Sequence, residues 1–170
     1  MKNVVLIGFM GVGKTEVGGL LASELGMAYI DTDSMIEAKQ GRLINEIFAV
    51  DGEDKFRDME TAVLDELKGT EGHVISTGGG IILRPDNIKK LKSLGPVVLL
   101  RASPEVSYER LKGLSDRPLL KVDKPLDKIK EILSFREPIY RAVADIEVDT
   151  SKITQKETCR KIIECLKKAG

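Results

Sequence analysis

Short apolar runs alternate with amphipathic stretches along this chain. Val4-Val5-Leu6-Ile7 and Val97-Val98-Leu99-Leu100 are unbroken by polar residues, the pattern of strands buried on both faces of a parallel sheet. The spacing predicts strands over residues 3–7, 27–30, 74–76, 97–100 and 146–148. Between them it predicts helices over 14–25, 35–39, 53–67, 86–94, 104–111, 126–137 and 154–168. Strands that alternate with helices make an α/β fold with helices on both faces of the sheet. Residues 112–125 break the helical period with a glycine, two prolines and six charged residues, which predicts either a surface loop or a lid.

At 170 residues the chain has enough material for one core and little for a second, so residues 1–170 are expected to form a single domain. Lysine plus arginine and aspartate plus glutamate each number 27, so no overall basic field favours nucleic acid or an anionic membrane. Any anion chemistry must then be local. Cys159 and Cys165 stand six apart in a helical stretch and face different ways, which fits neither a disulfide framework nor a metal knot. With His73 the only histidine, a zinc site or a Ser/His/Asp triad is poorly supplied. No apolar run is long enough for a bilayer, and the first strand leads directly into a motif, so a cytoplasmic location is expected.

That motif is Gly8-Phe9-Met10-Gly11-Val12-Gly13-Lys14-Thr15, which fits G-x-x-x-x-G-K-[ST] and lies between a strand and a helix, as it must. Glycines let successive amides turn inward on phosphate oxygens, and the helix start adds its positive end. Gly11, Val12 and Gly13 would line the cradle, Lys14 would reach the β- and γ-phosphates of ATP, and the Thr15 hydroxyl would ligate Mg²⁺. The guanine motif N-K-x-D and the protein-kinase triplet H-R-D are both absent, which leaves small-molecule kinases and nucleotide-binding regulators.

Residues outside the loop narrow the choice. Asp31 and Asp33 are two apart at the end of the second strand; on extended backbone both would face the same way, one toward magnesium and one toward an acceptor hydroxyl. A pair of helix-capping acids is the plainer reading. Arg57 and Glu60 share one face of a helix, and Gly78-Gly79-Gly80 follow a strand where bare backbone can approach a ligand. Arg110, Arg117 in Asp116-Arg117-Pro118-Leu119-Leu120, and Arg136 in Phe135-Arg136-Glu137-Pro138-Ile139-Tyr140-Arg141 complete the set.

In this order and spacing, from residue 3 to about residue 149, these pieces resemble the shikimate kinases. The resemblance implies a P-loop nucleoside-monophosphate-kinase-like fold with five parallel strands in the order 2-3-1-4-5. It also implies transfer of the ATP γ-phosphoryl group to the 3-hydroxyl of shikimate, with Mg²⁺, in aromatic amino-acid biosynthesis. It assigns Lys14, Asp33 and Arg117 to catalysis, and Gly11, Val12, Gly13, Lys14, Thr15, Arg110 and Arg117 to ATP. Asp33, Arg57, Gly79, Gly80 and Arg136 fall to shikimate, and Thr15 and, through water, Asp31 to the metal. Residues 112–125 become the lid, and the partners are shikimate and ATP, with the chain acting as a monomer. Asn87-Ile88 departs from the Asn-Arg that the family often carries, and a proline common near residues 149–152 is missing. A gluconate kinase would share the cradle, the sheet and the lid but need another acceptor pocket. A regulator that had lost catalysis would be expected to show damage at Lys14, Asp33 or Arg117, and none is seen.

Overall fold

A computed structural model of the chain describes residues 2–114 and 121–169. Its sheet joins β1 (Val4–Ile7), β2 (Ala28–Asp31), β3 (His73–Ser76), β4 (Val97–Arg101) and β5 (Ile146–Asp149) in the order β2-β3-β1-β4-β5. Every neighbouring pair is parallel. All four residues of β1 are buried, as are the first four of β4, because helices cover both faces of the central strands. At the edge, β5 alternates buried and exposed positions instead. All carboxyl ends lie on one side, and the chain leaves β1 toward β2 on one flank while β4 lies on the other. The crevice at that switch point is where open α/β sheets hold ligands.

The helices are α1 (Lys14–Leu25), α2 (Thr32–Gln40), α3 (Ile44–Asp51), α4 (Glu53–Glu66), α5 (Pro85–Leu94), α6 (Pro104–Leu111), α7 (Pro125–Val143) and α8 (Gln155–Ala169), with a 3-10 turn at Ile81–Leu83. α1 packs on β2, β3 and α8, and α4 packs among α2, α3 and α5.

Three elements differ from the sequence reading. α2 begins at Thr32, three residues before the expected start, because Asp31 caps it: its Oδ1 accepts the Ser34 N–H at 3.0 Å. α3 was not expected at all. It starts after Leu43, whose N–H is accepted by the Glu46 carboxylate at 2.9 Å, and the Arg42–Asp51 ion pair joins its two ends. α7 runs on past Glu137 and through Pro138 to Val143. The proline removes one helical N–H, yet burial of Tyr140 and Val143 beyond it, 2% and 1% exposed, holds the helix together. The segment read as loop or lid, 112–125, joins α6 to α7; residues 115–120, Arg117 among them, lie outside the described residues.

The amino edge of the sheet is pinned by Asn3, which is fully buried. Its Nδ2 donates to the Thr70 carbonyl at 2.8 Å and its Oδ1 accepts the His73 N–H at 3.0 Å, so one side chain ties the start of β1 to the entry of β3. Asn3→Ala leaves both groups without that partner. We expect a loss of roughly 1–3 kcal/mol in urea unfolding, with turnover of the folded fraction unchanged, since the site lies at the other end of the strands.

Candidate active site

After β1 the backbone turns at Gly8, Gly11 and Gly13 with φ of 146°, 79° and 94°, angles that side chains resist. Gly13 is the N-cap of α1, and no side chain caps that helix start, whereas Asp31 caps α2 and Ser103 caps α6. The first amides of α1 therefore remain available to an anion. Lys14 folds back across the loop, its Nζ donating to the carbonyls of Gly8 at 2.6 Å and Phe9 at 2.9 Å. A phosphate drawn to the amides would meet an ammonium group already there.

The loop is tied down from the far side. The buried Thr150 hydroxyl reaches the Val12 carbonyl and the Arg101 carbonyl, each at 3.0 Å. Arg110, from α6, donates to the Gly11 carbonyl at 3.2 Å and to the Thr150 carbonyl at 2.9 Å. Arg110 thus stands at the rim of the cradle with part of its guanidinium engaged in holding it.

Asp31 and Asp33 do not share a strand face. Asp31 ends β2, in register with Ser76, while Asp33 lies in the first turn of α2. The helix turns Asp33 toward the glycines: a Cβ on Gly78 would stand 2.7 Å from Asp33 Oδ1 and 3.0 Å from Glu60 Oε1. The two acids are separated by helix geometry, one near the cradle and one near the glycine run. The Thr15 hydroxyl, the Asp31 carboxylate and the Ser76 hydroxyl gather around the Tyr29 phenol. These are hard oxygen donors, and among the described residues no group of three or more His, Cys, Asp or Glu residues could hold a metal alone. Such a sparse oxygen set fits Mg²⁺, which keeps its waters and shares substrate phosphates.

Around Gly78, Gly79 and Gly80 the chain assembles a basic corner. Arg57, 8% exposed, donates to Glu60 at 2.8 Å and to Glu53 at 3.1 Å, and its guanidinium carbon stands 5.4 Å from the Phe56 ring centroid and 5.9 Å from that of Phe48. Gly80 lets the guanidinium approach, since a Cβ there would lie 2.4 Å from Arg57 Nη1. From α7, Arg136 comes within 3.7 Å of the position a Cβ on Gly79 would take, and the Tyr140 hydroxyl donates to the Gly79 carbonyl. Asn87, fully buried, accepts from Thr61 at 2.8 Å and donates to the Ile81 carbonyl at 3.1 Å, which fixes the glycine run to α4. Arg57 Nε and Glu60 Oε1 are buried without hydrogen-bond partners. Two guanidinium groups and a carboxylate around bare backbone can grip a small acid bearing hydroxyls.

Asp33, Arg57, Gly79, Gly80 and Arg136 are thereby brought together, as are Gly11, Val12, Gly13, Lys14, Thr15 and Arg110. The sequence reading passed over Tyr140, Thr150, Ser76 and Tyr29. Only Tyr140 left a local signal there, four residues after Arg136 on one helix face.

A cavity of about 330 Å³ opens at the opposite end of the sheet, among Lys2, Thr70, Glu71, Lys92 and Asp145, and no motif residue reaches it.

A family model described as shikimate kinase matches residues 10–167. A shikimate kinase of Thermodesulfovibrio yellowstonii is 48% identical over 164 residues, covering 96% of this chain and 94% of its own. The solved shikimate kinase from Acinetobacter baumannii in complex with shikimate superposes with a TM-score of 0.95 at 38% identity, covering 99% of this chain and 94% of that one. A gluconokinase from Sinorhizobium meliloti reaches a TM-score of 0.60 at 17% identity over 99% of this chain and 93% of its own, a likeness of fold alone.

Glu60 is the titrating group of this corner. Burial pushes its carboxyl up to about 6, against the opposing pull of Arg57, and the Asp33 charge adds to the rise. The folded protein holds this proton more tightly than the unfolded chain, whose value lies near 4.5, so the Glu60 contribution is full below 4.5 and fades as pH rises through 6. The stability of the parent relative to Glu60→Gln should fall by about 2 kcal/mol across that window in ligand-free urea unfolding. A difference that stays flat with pH would remove Glu60 from this role.

Proposed function

The chain belongs to the shikimate kinase family, and on that premise we propose that it transfers the γ-phosphoryl group of ATP to the 3-hydroxyl of shikimate, a step of aromatic amino-acid biosynthesis. The observation that carries this reading is the pair of arginines at the glycine run, Arg57 against Gly80 and Arg136 against Gly79, with Asp33 beside Gly78. Shikimate offers one carboxylate and several hydroxyls. The planar guanidinium groups suit the carboxylate, and Asp33 suits the attacking hydroxyl, which it would orient and relieve of its proton. Gly79 and Gly80 let the ring lie against backbone.

Phosphates would bind to the loop amides from Gly11 to Gly13, and Lys14 would leave the carbonyls of Gly8 and Phe9 to neutralise charge that grows on the β/γ bridge. Thr15 and, through water, Asp31 would hold Mg²⁺, which when bound screens the phosphate charge. Arg110 would border the nucleotide, and Arg117, carried by the lid at 112–125, would reach the transferring group and exclude water. Gluconate as acceptor is disfavoured by the low identity of the gluconokinase, and a non-catalytic regulator by the intact Lys14 and Asp33. The same reading makes the protein a cytoplasmic monomer without nucleic acid or membrane partners. Supporting it, charges balance, and among the described residues no helix is long and apolar enough to cross a membrane.

The direct test is ADP release from ATP with shikimate, with gluconate and with neither. Shikimate alone should drive it; release that ignores the acceptor, or follows gluconate, defeats the proposal. Lys14→Ala should lower turnover on the order of a thousandfold in a folded protein. Arg136→Ala should raise the acceptor KM by roughly ten- to a hundred-and-fifty-fold with the ATP KM little changed, the worth of a charge-assisted contact. Arg57→Ala should do the same but also cost about 3–5 kcal/mol of stability, since it strands the buried Glu60 charge. A shikimate analogue with a neutral amide in place of the carboxylate should be poor for the parent and much less penalised in Arg136→Ala. Equal use of acid and amide by the parent would sink the clamp.

A further inference from the structure

The side chain of Tyr29 belongs neither to the phosphate cradle nor to the basic corner, yet it is the hub of the oxygen cluster between them. Tyr29 precedes Asp31 by two residues on β2, so both side chains leave the same face of the strand; Tyr29 pairs in register with Val74 as Asp31 does with Ser76. Its ring lies where α1 carries no side chain. A Cβ on Gly18 would stand 2.5 Å from the ring Cε2 and 3.3 Å from Leu6 Cδ1. Gly18 follows Thr15 by three residues, one helical turn, and shares its face of α1. A ring seated at Gly18 therefore lies about one helical turn from Thr15.

The hydroxyl donates to Asp31 Oδ2 over a long 3.4 Å, with the side chains of Thr15 and Ser76 nearby. At neutral pH the phenol is a protonated donor. Asp31 is held from its other side as well, since Oδ1 takes the Ser34 N–H at 3.0 Å. Tyr29 thus addresses the one carboxylate oxygen that the helix cap leaves over. A ring with two torsions, wedged between helix and sheet, supplies that donor with little loss of side-chain freedom.

We infer that Tyr29 is a positioning residue for the magnesium–nucleotide corner, its hydroxyl holding the Asp31 oxygen that the helix cap leaves over so that Asp31 meets the ligand without rearrangement. The inference rests on the reading that Thr15 and Asp31 serve Mg²⁺. Groups one shell out from a metal typically change its affinity about ten- to a hundredfold, and Asp31, which would hold the metal through water, is such a group, so its support by Tyr29 is expected to count toward the lower end. A plain packing role would need the ring and not the hydroxyl.

Tyr29→Phe separates the two, because it keeps the ring on Gly18 and removes only the donor. ADP binding to the whole protein, followed by calorimetry over a magnesium series, reads the metal without turnover. The magnesium needed for half of the gain in ADP affinity should rise about tenfold in Tyr29→Phe, with metal-free ADP affinity and melting temperature close to the parent. In the kinase assay the magnesium requirement should rise alike, while turnover at saturating magnesium stays within about threefold. Asp31→Asn should raise the requirement by itself, and the double variant should go little beyond it, since Tyr29 acts through Asp31. An unshifted Tyr29→Phe beside a shifted Asp31→Asn overturns the inference and leaves the metal reading standing. An unshifted Asp31→Asn overturns the metal reading and the inference with it. Additive effects in the double variant overturn the route through Asp31.

Discussion

The buried pairing of Arg57 with Glu60 is the interaction on which the basic corner around Gly78, Gly79 and Gly80, the proposed acceptor half of the site, depends. A guanidinium 8% exposed is costly unless carboxylates surround it, and here Glu60 at 2.8 Å and Glu53 at 3.1 Å do so while Phe48 and Phe56 shield it. The pairing is mutual. Burial works to lower the Arg57 pKa, and the two carboxylates outweigh it and hold it above its usual value; burial raises the Glu60 carboxyl, and Arg57 restrains that rise. Neither group is saturated by the other, since Arg57 Nε and Glu60 Oε1 have no hydrogen-bond partner. A site that holds its charge in place with bonding capacity to spare can bind an acid without first reorganising.

That pair would be idle without the backbone beside it. Gly80 leaves room for the guanidinium, and Asn87 and Thr61 bind the turn after Gly80 to α4, which carries Arg57. The Thr61 hydroxyl also reaches the Arg57 carbonyl at 3.1 Å, so helix and turn move together. On the nucleotide side the bracing comes from Thr150 and Arg110, which join the loop to the ends of β4 and β5. β3 serves both halves: Ser76 lies in the oxygen cluster, and the glycine run starts two residues later. The two ligands would meet where one strand ends.

How much of this was legible in the sequence follows from how local each cause is. The cradle was legible because its glycines, lysine and threonine are set by one loop's geometry, and the sheet because β1 and β4 are unbroken apolar runs. The Arg57–Glu60 contact was legible from helical spacing alone. Asp33 was read on extended backbone because an Asp at the end of a strand is equally a helix cap: Asp31 takes the Ser34 N–H, and the helix it starts already contains Asp33. α3 escaped because it is eight residues long and its N-cap is a leucine. α7 was cut short at Pro138 because local propensity was weighed without the distant core that buries Tyr140 and Val143. Thr150, Ser76 and Tyr29 left no local trace, since their partners lie far away in the chain.

The two halves are built from different materials, and this decides how each tolerates change. On the proposed function phosphates would be met by backbone amides, whose direction depends on φ values that only glycine adopts easily, so in the cradle the glycines are constrained and the intervening Phe9, Met10 and Val12 are free to answer to packing. The acceptor would be met by side chains, whose direction depends on neighbours. Arg57 needs Glu60 and a bare Gly80; Arg136 needs the last turns of α7, which Tyr140 ties to the Gly79 carbonyl. A substitution on the nucleotide side therefore acts by bending one loop, whereas one on the acceptor side acts through whichever partner it strands. On that reading acceptor choice would be spread over α2, α4, the glycine run and α7, four elements that no single stretch of sequence contains. A fold likeness at 17% identity can preserve the loop and the sheet order while leaving that distributed corner undetermined.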